Sequence, residues 1–215
     1  MERRLDDAAL EMSPVVANCA MNRERTLASY GRELGLDVLA EIGGGWLDLC
    51  CGAGRALAEA AARRPGARIT GVDLAGHFLP AASAVHLVTA SVAEWSPDAS
   101  YDLITCVHGL HYVGDKLGVL ARAASWLGPD GLLVANFEVA SVRLAGGAPG
   151  GRRVAAALRE AGFRYDGRRR RISLRGPREV RLPYRYLGAD DRAGPNYTGQ
   201  AAVDSFYEPD PVSVR

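Results

Sequence analysis

The sequence is poor in cysteine and has no long apolar run, and these two shortages exclude several classes of protein. Its four cysteines, Cys19, Cys50, Cys51 and Cys106, lack the C-x-x-C spacing of zinc sites and the density of a disulfide scaffold. They are expected to be reduced thiols in a cytoplasmic protein. No apolar stretch approaches the ~20 residues of a membrane-spanning helix, and the charged opening MERRLDDAAL is not expected to be a secretory signal.

Lysine is also nearly absent, since Lys116 is the only one and arginine supplies the other 25 of the 26 basic residues. We interpret this bias, together with abundant alanine and glycine, as the codon usage of a GC-rich genome. The formal net charge of +1 gives no global electrostatic reason to expect nucleic acid or a membrane surface as partner. The 215 residues, 48% of them hydrophobic, suit one globular domain.

What the sequence does contain, from Trp46 onward, is an alternation of short β-rich runs with helical patterns. The β-rich runs are WLDLC, RITGVDL, HLVTASV, YDLITCVHG and GLLVANFEV, and most are followed by a helical pattern such as GRALAEAAARR. This alternation predicts a doubly wound, mainly parallel α/β sheet with helices on both faces. A short helix is expected near AGHFLPAASA, a β-hairpin closing the sheet at 163–188, and loop after Ala189.

The stretch WLDLCCGAGRALAEAA, residues 46–61, has the features of a nucleoside site. Ligands of open parallel sheets bind beyond the carboxyl ends of the strands, where this first strand-to-helix turn lies. Gly52 and Gly54 let the backbone approach a ligand closely, and Asp73 ends the next strand, where it can accept hydrogen bonds from both hydroxyls of a ribose. Asp48 would repel a pyrophosphate but attract an ammonium and a sulfonium. The residues therefore favour S-adenosylmethionine over NAD.

In combination these motifs resemble those of class I S-adenosylmethionine-dependent methyltransferases. WLDLCCGAG resembles the glycine-rich first motif of that family, GVDL its ribose-binding second strand, and YDLITCVHGLHYV with LGPDGLLVANFE its fourth and fifth strands. The resemblance covers residues 44–140 and implies methyl transfer on a seven-stranded, Rossmann-like sheet with a C-terminal antiparallel hairpin. The cofactor contacts that it implies are Asp48, Cys50, Gly52, Gly54, Asp73 and Leu74.

Two positions depart from the family's pattern. Cys50 replaces the first glycine of the loop, and a cysteine permits close approach but not a positive φ at low cost. Ser91 stands where the family usually keeps an aspartate for the adenine amine. A serine hydroxyl accepts that hydrogen bond more weakly than a carboxylate does. Ser91 and the Val92 backbone are nevertheless the predicted adenine contacts.

The sequence pattern divides the chain into a helical cover of the active site (1–42), a cofactor-binding methyltransferase core (43–190) and a C-terminal tail (191–215). CAMNRER lies ahead of an amphipathic helix and resembles by position the lid helices of the family, which exclude water and contact substrate. The alternative is a solvated helix face packed on the sheet. The predicted substrate contacts are Asn22, Arg23, Tyr30, Tyr112, Glu138 and Tyr197.

His108 and His111 are the predicted catalytic residues, because they follow the fourth strand, where the family presents the methyl group to the acceptor. A neutral imidazole there can accept a proton near pH 7, although methyl transfer needs mainly alignment and water exclusion. The alternative is that one packs against a helix start and the other lines the cofactor pocket. No metal is predicted, because the sequence shows no carboxylate and histidine cluster with ligand spacing.

Nine arginines between Arg164 and Arg185, against Asp166 and Glu179, give a local net charge of +7 and suggest a competing function. Such a patch can neutralise phosphates and would suit an RNA methyltransferase. The segment, however, alternates as an edge hairpin and has few aromatic residues for base stacking. We therefore favour a methyltransferase for a small molecule, with secondary metabolism as the expected setting. A third hypothesis is a protein of this fold that binds the cofactor without methyl transfer.

Overall fold

The structure is a computed structural model that describes residues 4–17, 25–80 and 84–210. The helices are α1 (Asp7–Glu11), α2 (Pro14–Ala17), α3 (Leu27–Leu34), α4 (Val38–Glu41), α5 (Arg55–Ala61), α6 (Lys116–Ser125) and α7 (Gly151–Glu160). The strands are β1 (Gly45–Leu49), β2 (Arg68–Asp73), β3 (Val85–Thr89), β4 (Tyr101–Cys106), β5 (Leu127–Asn136), β6 (Val142–Leu144), β7 (Arg164–Asp166), β8 (Arg171–Arg175), β9 (Tyr184–Asp190) and β10 (Asp204–Pro209).

A seven-stranded sheet with the order β3-β2-β1-β4-β5-β8-β7 forms the centre of the fold. Strands β1 to β5 pair in parallel, β8 runs antiparallel to β5, and β7 runs antiparallel to β8. Every residue of β1 is buried, as expected for a central parallel strand covered on both faces. This arrangement confirms the predicted doubly wound sheet with a C-terminal antiparallel hairpin. The parallel pairing brings the carboxyl ends of β1, β2, β3 and β4 to one edge.

The C-terminal part of the chain differs from the sequence-based expectation. The closing hairpin is shorter than 163–188, because only β7 and β8 belong to it. Strand β9 joins a second sheet, in which β10 pairs antiparallel with β9 and parallel with β6. The loop predicted after Ala189 is therefore wrong, since β10 buries Phe206 and Tyr207 at the centre of this sheet. The helix expected near AGHFLPAASA is also missing from its described part, residues 75–80 and 84.

The second half of the N-terminal segment is part of the hydrophobic core. Helix α3 begins after Thr26, whose hydroxyl accepts from Ser29 N at 3.2 Å, and is followed by the capping residue Gly35 with φ +64°. Burying one large apolar side chain contributes about 1.5–3 kcal/mol, so this packing fixes α3 and α4 on the sheet. The side chains of this segment that pack with Trp46 and Leu57 are Leu27, Tyr30, Leu34, Val38 and Ile42.

The first half of the N-terminal segment is attached to the second sheet instead. Leu5 forms an antiparallel bridge with Ala189, with N–O distances of 2.8 and 2.9 Å. Asp7 accepts a hydrogen bond from the Tyr186 hydroxyl at 3.0 Å, and Leu10 packs in a small cluster with Ala189 and Val203. Helix α1 is therefore held in place by β9 and by the segment that leads into β10.

Candidate active site

The turn that follows β1 has an unusual backbone conformation. Cys50 has φ +58° and Gly52 has φ +60°, so two residues close together lie in the left-handed region. This conformation costs a non-glycine residue about 1–3 kcal/mol, and Cys50 adopts it in place of the glycine expected there. Gly54, with φ +78°, precedes the first residue of α5. Cys50 is therefore a strained residue within the turn that the sequence predicts to contact the cofactor.

Asp73, at the end of β2, is placed to hold a diol. Its two carboxylate oxygens accept from Gly52 N at 2.9 Å and from Ala75 N at 3.0 Å. A carboxylate offers about four acceptor positions, so about two remain for a ligand. Since Asp73 forms part of a pocket wall, those positions suit the two hydroxyls of a ribose.

A pocket at the carboxyl edge of the sheet contains six of the eight residues predicted to contact the cofactor. Its wall also includes four residues of the N-terminal segment that sequence reasoning did not select, namely Asp7, Leu10, Glu11 and Val16. The only sequence signal was that this segment precedes the first strand and is amphipathic. The six predicted residues on the wall are Cys50, Gly52, Asp73, Leu74, Ser91 and Val92.

Asp48, also predicted as a cofactor contact, is fully buried and does not belong to that wall. Its carboxylate accepts from the Tyr30 hydroxyl at 2.6 Å and from the Thr105 hydroxyl. Burial raises the pKa of Asp48 to about 7, and the hydrogen bonds from Thr105 and Tyr30 oppose that shift. Asp48 is therefore only partly ionised near neutral pH.

Tyr30, predicted to contact substrate, lies in the core. Its ring packs edge-to-face on Trp46, with ring centroids 5.9 Å apart, and its hydroxyl is engaged by Asp48. Burial, the Asp48 charge and that hydrogen bond raise the pKa of Tyr30 well above its usual value. In this structure Tyr30 thus supports Asp48 in β1, the strand that precedes the turn at Cys50, and its substrate contact stays a prediction. Asn22 and Arg23, the other predicted contacts from this segment, lie outside the described residues.

His108, which follows β4, is the centre of a hydrogen-bonded chain of three side chains. His108 Nε2 lies 3.1 Å from Glu33 Oε2, and His108 Nδ1 lies 3.3 Å from the Tyr197 hydroxyl. Because a carboxylate only accepts, the geometry assigns the imidazole proton to Nε2 and leaves Nδ1 to accept from Tyr197. Burial and then Arg25 lower the pKa of His108, whereas Glu33 raises it. Glu33, which sequence reasoning missed, therefore fixes the tautomer of His108 and makes its ring a stronger base than burial alone would leave it.

His111 lies in the same cluster but in a different electrostatic environment. Its ring centroid is 5.7 Å from that of His108 and 5.4 Å from that of Tyr197. His111 Nε2 is buried and has no hydrogen-bond partner within the described part of the chain. Burial, followed by the charges of His108 and Lys116, lowers the pKa of His111 to about 3. His111 is therefore neutral at physiological pH but a weak base.

Two further predicted contacts complete this cluster. The Arg170 guanidinium stacks 4.2 Å above the centroid of the Tyr197 ring, and its Nε lies 3.4 Å from Glu138 Oε1. Tyr197 and Glu138, predicted from distant parts of the sequence, are thus brought together with the histidines. Tyr112, by contrast, belongs to the wall of the pocket that contains Asp73.

The histidine cluster and the pocket are neighbours because Gly109 packs directly on the turn. A Cβ atom at Gly109 would lie 2.4 Å from Cys50 Cβ, so only glycine permits this contact. His108 itself has φ +58°, a second strained non-glycine residue at the site. His108 therefore adjoins the part of the pocket wall formed by Cys50 and Gly109, although it is not itself part of that wall.

Metal sites and membrane spans are both missing from the described residues. These residues contain no group of three or more histidine, cysteine, aspartate or glutamate side chains placed to hold a metal ion. None of their helices combines the length and apolar character needed to cross a bilayer.

Comparison with known proteins connects this geometry with one family. The sequence pattern of a methyltransferase domain matches residues 20–143, more than half of the chain. Trans-aconitate 2-methyltransferase of Paracidovorax citrulli is 34% identical over 93 residues, which cover 40% of this chain and 36% of that enzyme. The enzyme of the same name from Escherichia coli O139:H28 is 32% identical over 94 residues, covering 42% and 37%. The matches thus span little more than a third of these relatives.

Among solved structures, the one described as StiE O-MT residues 961–1257 has a TM-score of 0.50 and 15% sequence identity. The similarity covers 64% of this chain and 51% of that one. At this identity the similarity supports the fold alone.

Proposed function

The chain belongs to the family of class I S-adenosylmethionine-dependent methyltransferases, and we propose that it methylates a hydroxyl group of a small molecule bound beside His108. The observation that carries the proposal is the Glu33–His108–Tyr197 chain, whose His108 directly precedes Gly109 on the pocket wall. When bound, S-adenosylmethionine supplies an electrophilic methyl group on a sulfonium. The protein then has to align the acceptor, take its proton and exclude water.

The pocket residues fit this cofactor. Asp73 has acceptor positions left for the ribose hydroxyls, and the turn at Gly52 brings backbone close to the ligand. Leu74 and Val92 provide apolar wall for an aromatic base. Asp48, a fully buried carboxyl below the turn, would be held in its ionised form by a cation above it.

His108 is the residue best placed to take the proton. As the acceptor oxygen gains the methyl group, its hydrogen passes to His108 Nδ1, directly or through the Tyr197 hydroxyl. Glu33 accepts from the opposite ring nitrogen and stabilises the imidazolium that forms. Proton transfer to a positioned base contributes about 10²–10⁴-fold to the rate. His111, with a pKa of about 3, is left to orient the acceptor by hydrogen bonding.

Two observations support a small acceptor over RNA. The curated relatives are named for trans-aconitate, a small organic acid. In addition, several hairpin arginines already have partners within the chain: Arg175 pairs with Glu41, and Arg171 donates to the Leu34 carbonyl. Arginines with such partners are less available to phosphates. A setting in secondary metabolism and a cytoplasmic location stay predictions.

A transfer assay tests the proposal. The full chain would be incubated with methyl-tritiated S-adenosylmethionine and, separately, small phenols, hydroxy acids, tricarboxylic acids including trans-aconitate, and total bacterial RNA. We expect label on a hydroxyl-bearing small molecule, and about 10²-fold less of it with His108→Asn. His86→Asn, which changes an exposed histidine on β3, is the matched control.

Three results would contradict the proposal. Label on RNA would support the nucleic-acid function, and label on a carboxylate at a rate unchanged by His108→Asn would exclude the base. Tight cofactor binding with no transfer to any class would favour the hypothesis of a binding protein.

A further inference from the structure

The strand order determines which end of the cofactor pocket would hold the base of a nucleoside. The pocket wall runs from Gly52 after β1, past Asp73 at the end of β2, to Ser91 and Val92 after β3, and these three strands are neighbours in the sheet. A nucleoside whose ribose is bound by Asp73 has its base on the side of β3, because the other side leads toward β4 and His108. Ser91 and Val92 therefore mark the base end of the pocket.

At this end a carboxylate reaches the pocket from outside the sheet. Glu11, the last residue of α1, lies on the wall, and its Oε1 accepts a hydrogen bond from the Ser91 hydroxyl. The Ser91 oxygen also accepts from Ala93 N at 3.1 Å. Since its hydrogen points to Glu11 and one lone pair is used, the serine has little acceptor capacity left. The Glu11 carboxylate has several acceptor positions left.

We propose that Glu11 is the residue that recognises the exocyclic amine of adenine, with the Val92 N–H directed at the neighbouring ring nitrogen. Adenine presents a donor beside an acceptor on this edge, and a carboxylate beside a backbone N–H is the complementary pair. The Val92 N–H donates to no other residue of the described chain. The carboxylate that position 91 lacks is thus supplied by a residue 80 positions earlier in the sequence.

The local charges favour the binding of a donor at Glu11. Burial raises the pKa of Glu11, and Asp7 and Glu94 add to that shift, while the hydrogen bond from Ser91 opposes it. An amine donor bound to the carboxylate would favour its ionised form and offset the cost of burial.

The second sheet positions Glu11 through helix α1. Helix α1 is held by the Leu5–Ala189 bridge, by the Asp7–Tyr186 hydrogen bond and by the packing of Leu10. These contacts set where Glu11 lies. The C-terminal strands are therefore expected to influence how well the pocket distinguishes one base from another, although they contribute no strand to the main sheet.

The test compares S-adenosylhomocysteine with S-inosylhomocysteine, which has a carbonyl oxygen in place of the amine. It rests on the cofactor assigned to the family and not on the acceptor, so it can fail while the proposed transfer reaction stands. Calorimetric titration of the full chain should show a preference for the adenine compound of about tenfold or more. Glu11→Gln, whose amide can donate to the carbonyl, should reduce that preference by about tenfold.

Two further variants make the result decisive. Glu94→Gln removes a neighbouring exposed carboxylate that is not on the pocket wall, and it should leave the preference unchanged. Glu11→Ala combined with Ser91→Asp should restore the preference that Glu11→Ala loses, which a folding defect in α1 would not allow. An unchanged preference in Glu11→Gln, or no rescue by the aspartate, would overturn the proposal.

Discussion

The hydroxyl of Tyr30 lies 2.6 Å from Asp48 Oδ2, and this contact joins helix α3 to the strand that leads into the cofactor turn. The second Asp48 oxygen accepts from Thr105, whose hydroxyl in turn accepts from Trp46 Nε1 at 2.8 Å. Both carboxylate oxygens thus have donors within the protein. The N-terminal segment is consequently connected to the cofactor site through buried polar groups as well as through apolar packing.

The buried carboxyl of Asp48 predicts a pH-dependent stability. Its pKa in the folded chain is about 7, above the unfolded value of about 3.9, so the native state keeps a proton between these values. The free energy of unfolding should therefore fall as pH rises through this window. Asp48→Asn lacks this titration. Between pH 4 and pH 8 its free energy of unfolding should therefore rise by about 2–4 kcal/mol relative to that of the parent.

Urea unfolding at both pH values measures that gain. Asp130→Asn, at an exposed position, serves as the control and should follow the parent within about 0.5 kcal/mol. A difference between Asp48→Asn and the parent that does not change with pH would show that Asp48 titrates normally.

Truncation should separate the two halves of the N-terminal segment. Removal of residues 1–17 takes away α1 and α2, and we expect a folded protein with weakened binding of S-adenosylhomocysteine. Removal of 1–42 also deletes five core side chains, each of which stabilises the fold by about 1.5–3 kcal/mol. Their combined contribution is comparable with the total stability of a domain, about 5–15 kcal/mol. That chain should not fold. Thermal unfolding and calorimetry decide this, and a folded 43–215 fragment would contradict it.

The two histidines should respond differently to substitution. His108→Asn is expected to lower kcat for the true acceptor by about 10²-fold, whereas His111→Asn should have a smaller effect because its pKa of about 3 makes it a weak base. The Glu33 charge raises the pKa of His108, so Glu33→Gln should lower that pKa. The acidic limb of the pH profile of kcat/KM should therefore move to lower pH. Steady-state kinetics across pH test all three. A larger loss in His111→Asn would reverse the assignment.

The exposed hairpin arginines should not bind RNA. Arg164, Arg168 and Arg169 are exposed, and their combined replacement by serine avoids Arg170 and Arg171, which contact the active-site cluster and α3. If they bound phosphates, the slope of log K against log salt would fall by roughly one for each phosphate-binding arginine replaced. We expect no RNA affinity in filter-binding assays of either protein. Tight binding by the parent that the variant loses would support the RNA function.

The sequence was sufficient for the parts of the fold that local patterns determine. Strands β1 to β5 follow from β-rich runs that alternate with helical patterns, and Asp73 follows from its place at the end of β2. The pairing of β10 with β6 could not be predicted, because it joins residues about sixty positions apart with no local signal. Glu11 and Glu33 were missed for the same reason: one carboxylate on a short helix looks like any solvated residue until the fold places it at the site.

Binding of S-adenosylhomocysteine and of NAD to the same full-length protein tests the central claim most directly. In calorimetric titrations we predict one site for S-adenosylhomocysteine and none for NAD. Asp73→Asn should weaken the former by about 10- to 100-fold, since it removes acceptor capacity for the ribose hydroxyls. NAD binding in the absence of S-adenosylhomocysteine binding, or unchanged affinity in Asp73→Asn, would contradict the assignment of this pocket.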